Sequence, residues 1–256
     1  MKRTLIQPKL EQFPLAFHDL LMNSEIYDSS SSEDARVYLI QKDQGYFLKT
    51  AAAGSLQREA DMTRYFNSKN LAPEVLAYLQ NDKDWLLTAQ VPGDDCVHHH
   101  YLEQPERLCD TLAEILFRLH HEETVGCPQA NHTSDYLALA EKNHALGIFN
   151  PKRGMDSPQK AWDIVEKRKH LLKTDTLIHG DYCLPNIILK DWSFCGFIDV
   201  DHGGIGDRHV DIYWALWSLH YNLKTERYCN RFIEAYGKDE VNPDILQLIS
   251  AIECFG

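Results

Sequence analysis

His179-Gly180-Asp181-Tyr182-Cys183-Leu184-Pro185-Asn186, followed by Phe197-Ile198-Asp199, is the stretch on which the reading of this chain turns. Asp181 and Asn186 lie five positions apart, and Asn186 and Asp199 thirteen. An isolated His-Gly-Asp arises by chance in surface loops; the full spacing, closed by a second Asp, is far more specific. These residue types suit phosphoryl transfer to an alcohol, which asks a protein for positioning and charge neutralisation more than for covalent help. One carboxylate near the acceptor hydroxyl orients it and takes its proton. An amide oxygen and a second carboxylate hold Mg²⁺ on the phosphates. With two of these groups on one loop and the third at the end of the next hairpin, all three are expected to point into one cleft.

Working outward, Thr176-Leu177-Ile178 reads as a strand entering the loop, and Asn186 to Lys190 pairs with Phe194 to Asp199. Beyond it the spacing predicts helices over Asp211 to Asn222, Glu226 to Tyr236 and Asp244 to Ile252. Upstream, residues 24–34, with Ser29 to Ser32, read as a polar loop. Val37 to Ile40 and Tyr46 to Lys49 flank the turn Lys42-Asp43-Gln44-Gly45 as a hairpin. A helix over Leu56 to Asn67 puts Leu56, Ala60, Thr63 and Phe66 on one side, with Glu59 among them. An unpaired charge there would be costly, so Glu59 needs a partner. Trp85 to Ala89 reads as a strand that runs into the turn Pro92-Gly93-Asp94. From Tyr101 the pattern is helical: Leu112, Ile115, Leu116 and Leu119 form a stripe ending at His120-His121, and residues 147–158 form a loop. The fold class expected is α+β, with a small β-rich N-terminal lobe holding one helix (1–92) and a larger, mainly helical lobe (93–256).

The 256 residues carry 44% hydrophobic and 25% charged side chains, ordinary for a globular chain. A net charge of -12 disfavours nucleic acid and favours a cationic small molecule. No apolar run approaches the roughly 18 to 20 residues that span a bilayer, and no apolar core follows Lys2-Arg3 to make a signal peptide. A cytoplasmic monomer without a membrane partner is expected. Seven scattered cysteines without CxxC spacing fit reduced thiols. Consecutive His98, His99 and His100 in a loop cannot easily converge on one metal ion. His120 and His121 read as a helix-end pair for the last carbonyls, and Tyr213, Trp214 and Trp217 as core.

The His179 to Asn186 block with Asp199 resembles the catalytic loop and metal-binding segment of the protein-kinase-like fold. The His-Gly-Asp and Ile-Asp variants are similar to those of aminoglycoside phosphotransferases. Gly196-Phe197-Ile198-Asp199, Gly206-Asp207-Arg208 and Asp211-Ile212 look closest to the 3'-phosphotransferases, and the likeness extends over most of the chain. Leu48-Lys49, Arg58-Glu59, Leu119-His120 and Ile252-Glu253-Cys254-Phe255 belong to it. The resemblance implies a bilobal fold and Mg²⁺-dependent transfer of the γ-phosphate of ATP or GTP to a hydroxyl of an aminoglycoside antibiotic, conferring resistance. Asp181 would be the base, and Asn186 and Asp199 the Mg²⁺ ligands. Lys49, oriented by Glu59, would bind phosphate oxygens. Phe47 would lie under the adenine, backbone groups of Ala89 and Val91 along its edge, and the Ser32 to Ala35 loop over the phosphates. Asp211 would brace the catalytic loop, with His179 in support; from the residues alone it also reads as the N-cap of the Ile212 to Leu219 helix. Glu253, Asp156 and Phe255 would meet the drug.

Three departures stand out. Asp201 takes a place where the family often has Gly. Only ten positions separate Lys49 from Glu59. Lys152 and Arg153 sit in a loop where a polyamine acceptor calls for acids. Other acceptors (choline, homoserine, a macrolide or another sugar) keep the same fold. A metallohydrolase built on His179, Asp181, Asp199, Asp201 and His202 leaves Lys49 and Glu59 without a role. A nucleotide-binding pseudoenzyme is opposed by intact Asp181, Asn186 and Asp199.

Overall fold

Chain reversal at Lys42 to Gly45 depends on two residues with positive φ, Asp43 at 49° and Gly45 at 83°. Around it, β3 (Ala35–Gln41) pairs antiparallel with β4 (Tyr46–Ala52), so that Ile40 faces Tyr46 and Val37 faces Lys49. The computed structural model describes residues 3–31 and 33–256. The chain divides into two compact units: residues up to 95 together with 187–201, and residues 96–186 together with 202–256.

The first unit is built on a six-stranded antiparallel sheet in the order β1-β2-β3-β4-β6-β5. Its remaining strands are β1 (Thr4–Ile6), β2 (Glu25–Asp28), β5 (Val75–Gln80) and β6 (Lys83–Ala89). One core gathers Phe13, Phe17, Leu21, Ile26, Ile40, Leu48, Trp85 and Leu87; each such side chain stabilises by about 1.5–3 kcal/mol when buried. A second cluster of Leu56, Ala60 and Leu86 seats the helix Gln57–Ser68. Buried Asp84 marks where that helix begins: it accepts from the Leu56 N–H (2.9 Å) and from the Tyr78 hydroxyl (2.9 Å). The expected loop over 24–34 is corrected by β2, in which Ile26 is buried opposite Ile40. A single inward apolar residue among polar neighbours leaves no alternation to read.

The hairpin Ile187–Lys190 with Ser193–Phe197 belongs to this first unit, where Asp94–Asp95 pairs with its first strand. Asp191 (φ 50°) and Trp192 (φ 68°) turn it, the backbone that a two-residue hairpin with right-handed strand twist requires.

In the second unit, the described residues form seven α-helices and the short antiparallel pair Thr176–Ile178 and Gly204–Gly206, against which the helix His132–Ala145 packs. The helix Pro105–Leu119 buries Leu108, Leu112, Ile115, Leu116 and Leu119, a three-and-four spacing, and starts on proline. The helices His132–Ala145, Pro158–Arg168 and Pro243–Glu253 share the cluster Ala140, Ala161, Val165, Leu248, Ala251, Ile252 and Phe255. The helix Cys229–Tyr236 buries Phe232 and Tyr236. His99 and His100, expected in a loop, lie in the one-turn helix His99–Leu102. The helix His209–Leu223 starts ahead of Asp211, so the N-cap reading of Asp211 is corrected. Asp207 holds that start instead, accepting from the His209 N–H (2.9 Å) and its Nδ1 (2.7 Å). Among the described residues, no helix is long and apolar enough to cross a membrane.

Candidate active site

Fully buried Thr176–Ile178 delivers the chain into His179-Gly180-Asp181. Gly180 has φ +83°, and a Cβ there would lie 2.0 Å from the His202 carbonyl oxygen, so only glycine fits this bend. Past it, half-buried Asp181 faces Asn186. The Asn186 Nδ2 donates to Asp181 Oδ2 (2.8 Å) and to the Asp181 carbonyl (3.0 Å). The intervening turn is tied down where the Leu184 N–H donates to Ser218 Oγ (3.0 Å). Asn186 thus spends both amide hydrogens on Asp181 and keeps its carbonyl oxygen for another partner.

Asp211, fully buried, holds the entry to this loop. Its Oδ2 accepts from the His179 N–H (2.7 Å), and its Oδ1 from the Gly180 N–H (2.7 Å). His120 Nε2 donates to Oδ2 (3.2 Å), and the Tyr236 hydroxyl donates to His120 Nδ1 (2.7 Å), the pairing of a neutral imidazole. The helix-end reading of His120 is therefore corrected: the ring turns into the core, and only His121 reaches back, to the Phe117 carbonyl (2.7 Å). Burial lowers the His120 pKa below its ordinary 6.5 despite Asp211. Between the folded and unfolded values the unfolded chain binds more protons, so stability falls as pH drops below about 6.5. Melting temperatures from pH 7.5 to 5.5 are expected to fall more steeply for wild type than for His120→Asn; parallel slopes would place this proton uptake elsewhere.

Within the first unit, Lys49 on β4 joins two carboxylates. Its Nζ lies 2.7 Å from Glu59 Oε2 and 3.1 Å from Asp199 Oδ1. Glu59 is the buried helix charge that needed a partner, and this is it. Burial works to lower the Lys49 pKa, but Asp199 and Glu59 outweigh it and hold the amine above its ordinary value, firmly cationic. Burial pushes Glu59 up to about 7 against the pull of Lys49, with Asp199 and Asp201 adding negative charge nearby. Asp199 itself follows the strand end with φ +54° and an exposed side chain. Phe47, two residues before Lys49, lies on the same face of β4. On β6, the Ala89 N–H is taken by the Glu74 carbonyl (3.0 Å). Val91 follows, half-buried. Ser32 lies outside the described residues.

The residues expected at the acceptor divide. Glu253 is buried at the end of its helix and accepts from the Tyr136 hydroxyl (2.8 Å); burial raises its pKa. Asp156 is exposed. Phe255 is 1% exposed, enclosed by the rings of His144, Phe149 and Trp162, so it shapes the core behind Glu253 and offers no open face. Tyr213, Trp214 and Trp217, read as core, are only half-buried, and the Arg153 guanidinium covers two of them. Neither Tyr136 nor Arg153 was singled out for a site: Tyr136 sits in a helix with a weak apolar stripe, and Arg153 pairs with rings far along the chain.

A His-Gly-Asp loop braced by the buried Asp211 carboxylate in one unit, and a strand lysine paired with a helix glutamate in the other, are the pattern of a phosphotransferase of the protein-kinase-like class. The model of the phosphotransferase enzyme family matches residues 28–248, and the chain belongs to that family. It is 44% identical, over 96% of both chains, to a probable aminoglycoside 3'-phosphotransferase of Lactococcus lactis subsp. lactis (strain IL1403). It is 28% identical to an aminoglycoside 3'-phosphotransferase of Niallia circulans, over 81% of this chain and 83% of that one. The fold is shared with the crystal structure of an aminoglycoside-3'-phosphotransferase of type VIII: TM-score 0.80, 23% identity, 94% of this chain and 97% of that chain covered. It is also shared with aminoglycoside phosphotransferase APH(3'')-Id from Streptomyces rimosus in complex with ADP and streptomycin, with TM-score 0.69, 19% identity and coverage of 86% and 90%.

Proposed function

We propose that this chain transfers the γ-phosphoryl group of ATP to the 3'-hydroxyl of an aminoglycoside, in the cytoplasm and as a monomer. The observation that carries the kinase reading is the Lys49 contact with both Glu59 and Asp199, which a metallohydrolase leaves without a purpose. The names of the relatives and the net charge of -12 support a polycationic acceptor.

In this reading Lys49 binds phosphate oxygens, and Glu59 keeps the amine aimed at them. The purine lies on Phe47. Because the Ala89 N–H is already taken, its edge is met by the Ala89 carbonyl and the Val91 N–H. Asn186 keeps an amide oxygen and Asp199 a carboxylate oxygen not bound by Lys49, hard donors that suit Mg²⁺. Held by these oxygens, Mg²⁺ would supply positive charge to neutralise the phosphates. Asn186 fixes Asp181 Oδ2, so the acceptor proton passes to Oδ1 as the sugar oxygen bonds to phosphorus and the bond to ADP breaks. His179 and Asp211 hold the loop in place, while Glu253 and Asp156 supply negative charge to the acceptor.

ADP release with Mg·ATP or Mg·GTP, offered kanamycin, neomycin, choline, homoserine and erythromycin, tests this. Stimulation by the aminoglycosides alone is expected. Stimulation by another acceptor would discard the drug and keep the chemistry; no turnover and no nucleotide binding would discard both.

A further inference from the structure

The loop that departs from the acidic pattern carries a built feature. The Arg153 guanidinium carbon lies 4.5 Å from the Trp214 ring centroid and 5.1 Å from that of Trp217. The two indoles stand edge to face at 5.5 Å. The backbone beneath is pinned: the Arg153 carbonyl accepts from Ser250 Oγ (2.7 Å) and from the Tyr213 hydroxyl (3.1 Å). The preceding turn is tied at Asn150, whose N–H donates to the Cys254 carbonyl (2.7 Å). Arg153 is therefore no freely moving surface arginine.

Its surroundings are those that recognise a cation. Two indole faces attract positive charge. Glu253, one helical turn from Ser250, is a buried carboxylate within reach of the Arg153 charge, and the field of Asp181 also reaches Glu253. The protein's own guanidinium already fills this place, and its charge also reaches Cys183 in the 179–186 loop.

We propose that Arg153 determines acceptor specificity: by occupying the Trp214 and Trp217 faces beside Glu253, it repels an acceptor ammonium at that position and admits a hydroxyl. The inference rests on the aminoglycoside reading above. An ammonium there meets a like charge on a pinned arginine, whereas a hydroxyl can accept a hydrogen bond from the guanidinium.

Matched acceptors test it: neomycin B against paromomycin, and kanamycin B against kanamycin A, pairs that differ by one amino group in place of a hydroxyl. Wild type is expected to favour the hydroxyl member of at least one pair by roughly tenfold in kcat/KM, expressed in KM. Arg153→Gln keeps the stem and removes the charge; it should erase that preference with KM for ATP unchanged. Arg153→Lys should keep it. A wild type without preference in either pair, or a preference that Arg153→Gln leaves intact, overturns the role of Arg153 while the kinase reading stands. A wild type that turns over none of the four overturns both.

Discussion

Asp181→Asn is expected to lower kcat with an aminoglycoside acceptor by about 10² to 10⁴, the usual worth of a positioned base. The substitution keeps the size of the side chain and removes the carboxylate proposed to take the hydroxyl proton. It leaves Lys49, Glu59 and Asp199 untouched, because Asp181 forms its bonds within its own loop, to Asn186 and Cys183. Nucleotide affinity, followed by calorimetric titration of Mg·ATP, should therefore change little. The split between lost turnover and retained binding separates a base from a group that merely supports the fold. Unchanged turnover would mean that the proton leaves by another route, and the proposed mechanism would be wrong.

Asp211→Ala carries the largest expected effect on stability. Three buried donors lose their acceptor at once: the N–H groups of His179 and Gly180, and His120 Nε2. Each buried donor left unsatisfied costs about 1–3 kcal/mol. The sum is roughly 3 kcal/mol or more, a large share of the 5–15 kcal/mol typical of a folded chain. At this chain length that corresponds to a melting temperature lower by roughly 6 to 12 °C. Activity should fall further than the folded fraction, since the same bonds hold the bend that presents Asp181. Thermal unfolding by circular dichroism, paired with kinetics at a temperature where the variant is folded, checks both. An unchanged melting temperature would show that the loop does not depend on Asp211.

Much of this molecule is legible over short spans. Asp181 and Asn186 are five residues apart, and a tight loop between them brings amide to carboxylate without help from elsewhere. The hairpin that ends near Asp199, the reversal at Lys42 to Gly45, and the leucine stripe of Pro105–Leu119 are equally local, written in turn residues and in periodicity. Short β2 escaped because one buried isoleucine makes no pattern.

Other features belong to the tertiary structure alone. Lys49 and Asp199 are 150 positions apart, and their ion pair exists because the 187–197 hairpin joins the sheet-bearing unit. His120 looks like a helix-end histidine until its ring is seen between Asp211 and Tyr236. Arg153 looks like a loop cation until its guanidinium is found on Trp214 and Trp217. The reason is the same in each case. The residue types that can hold a base, a metal or a phosphate, and their spacing within a turn, are properties of the sequence by itself. Which distant group a charge meets, and how much water surrounds it, depends on which elements pack together, and that decides whether a lysine stays cationic, a histidine neutral or an arginine fixed in place.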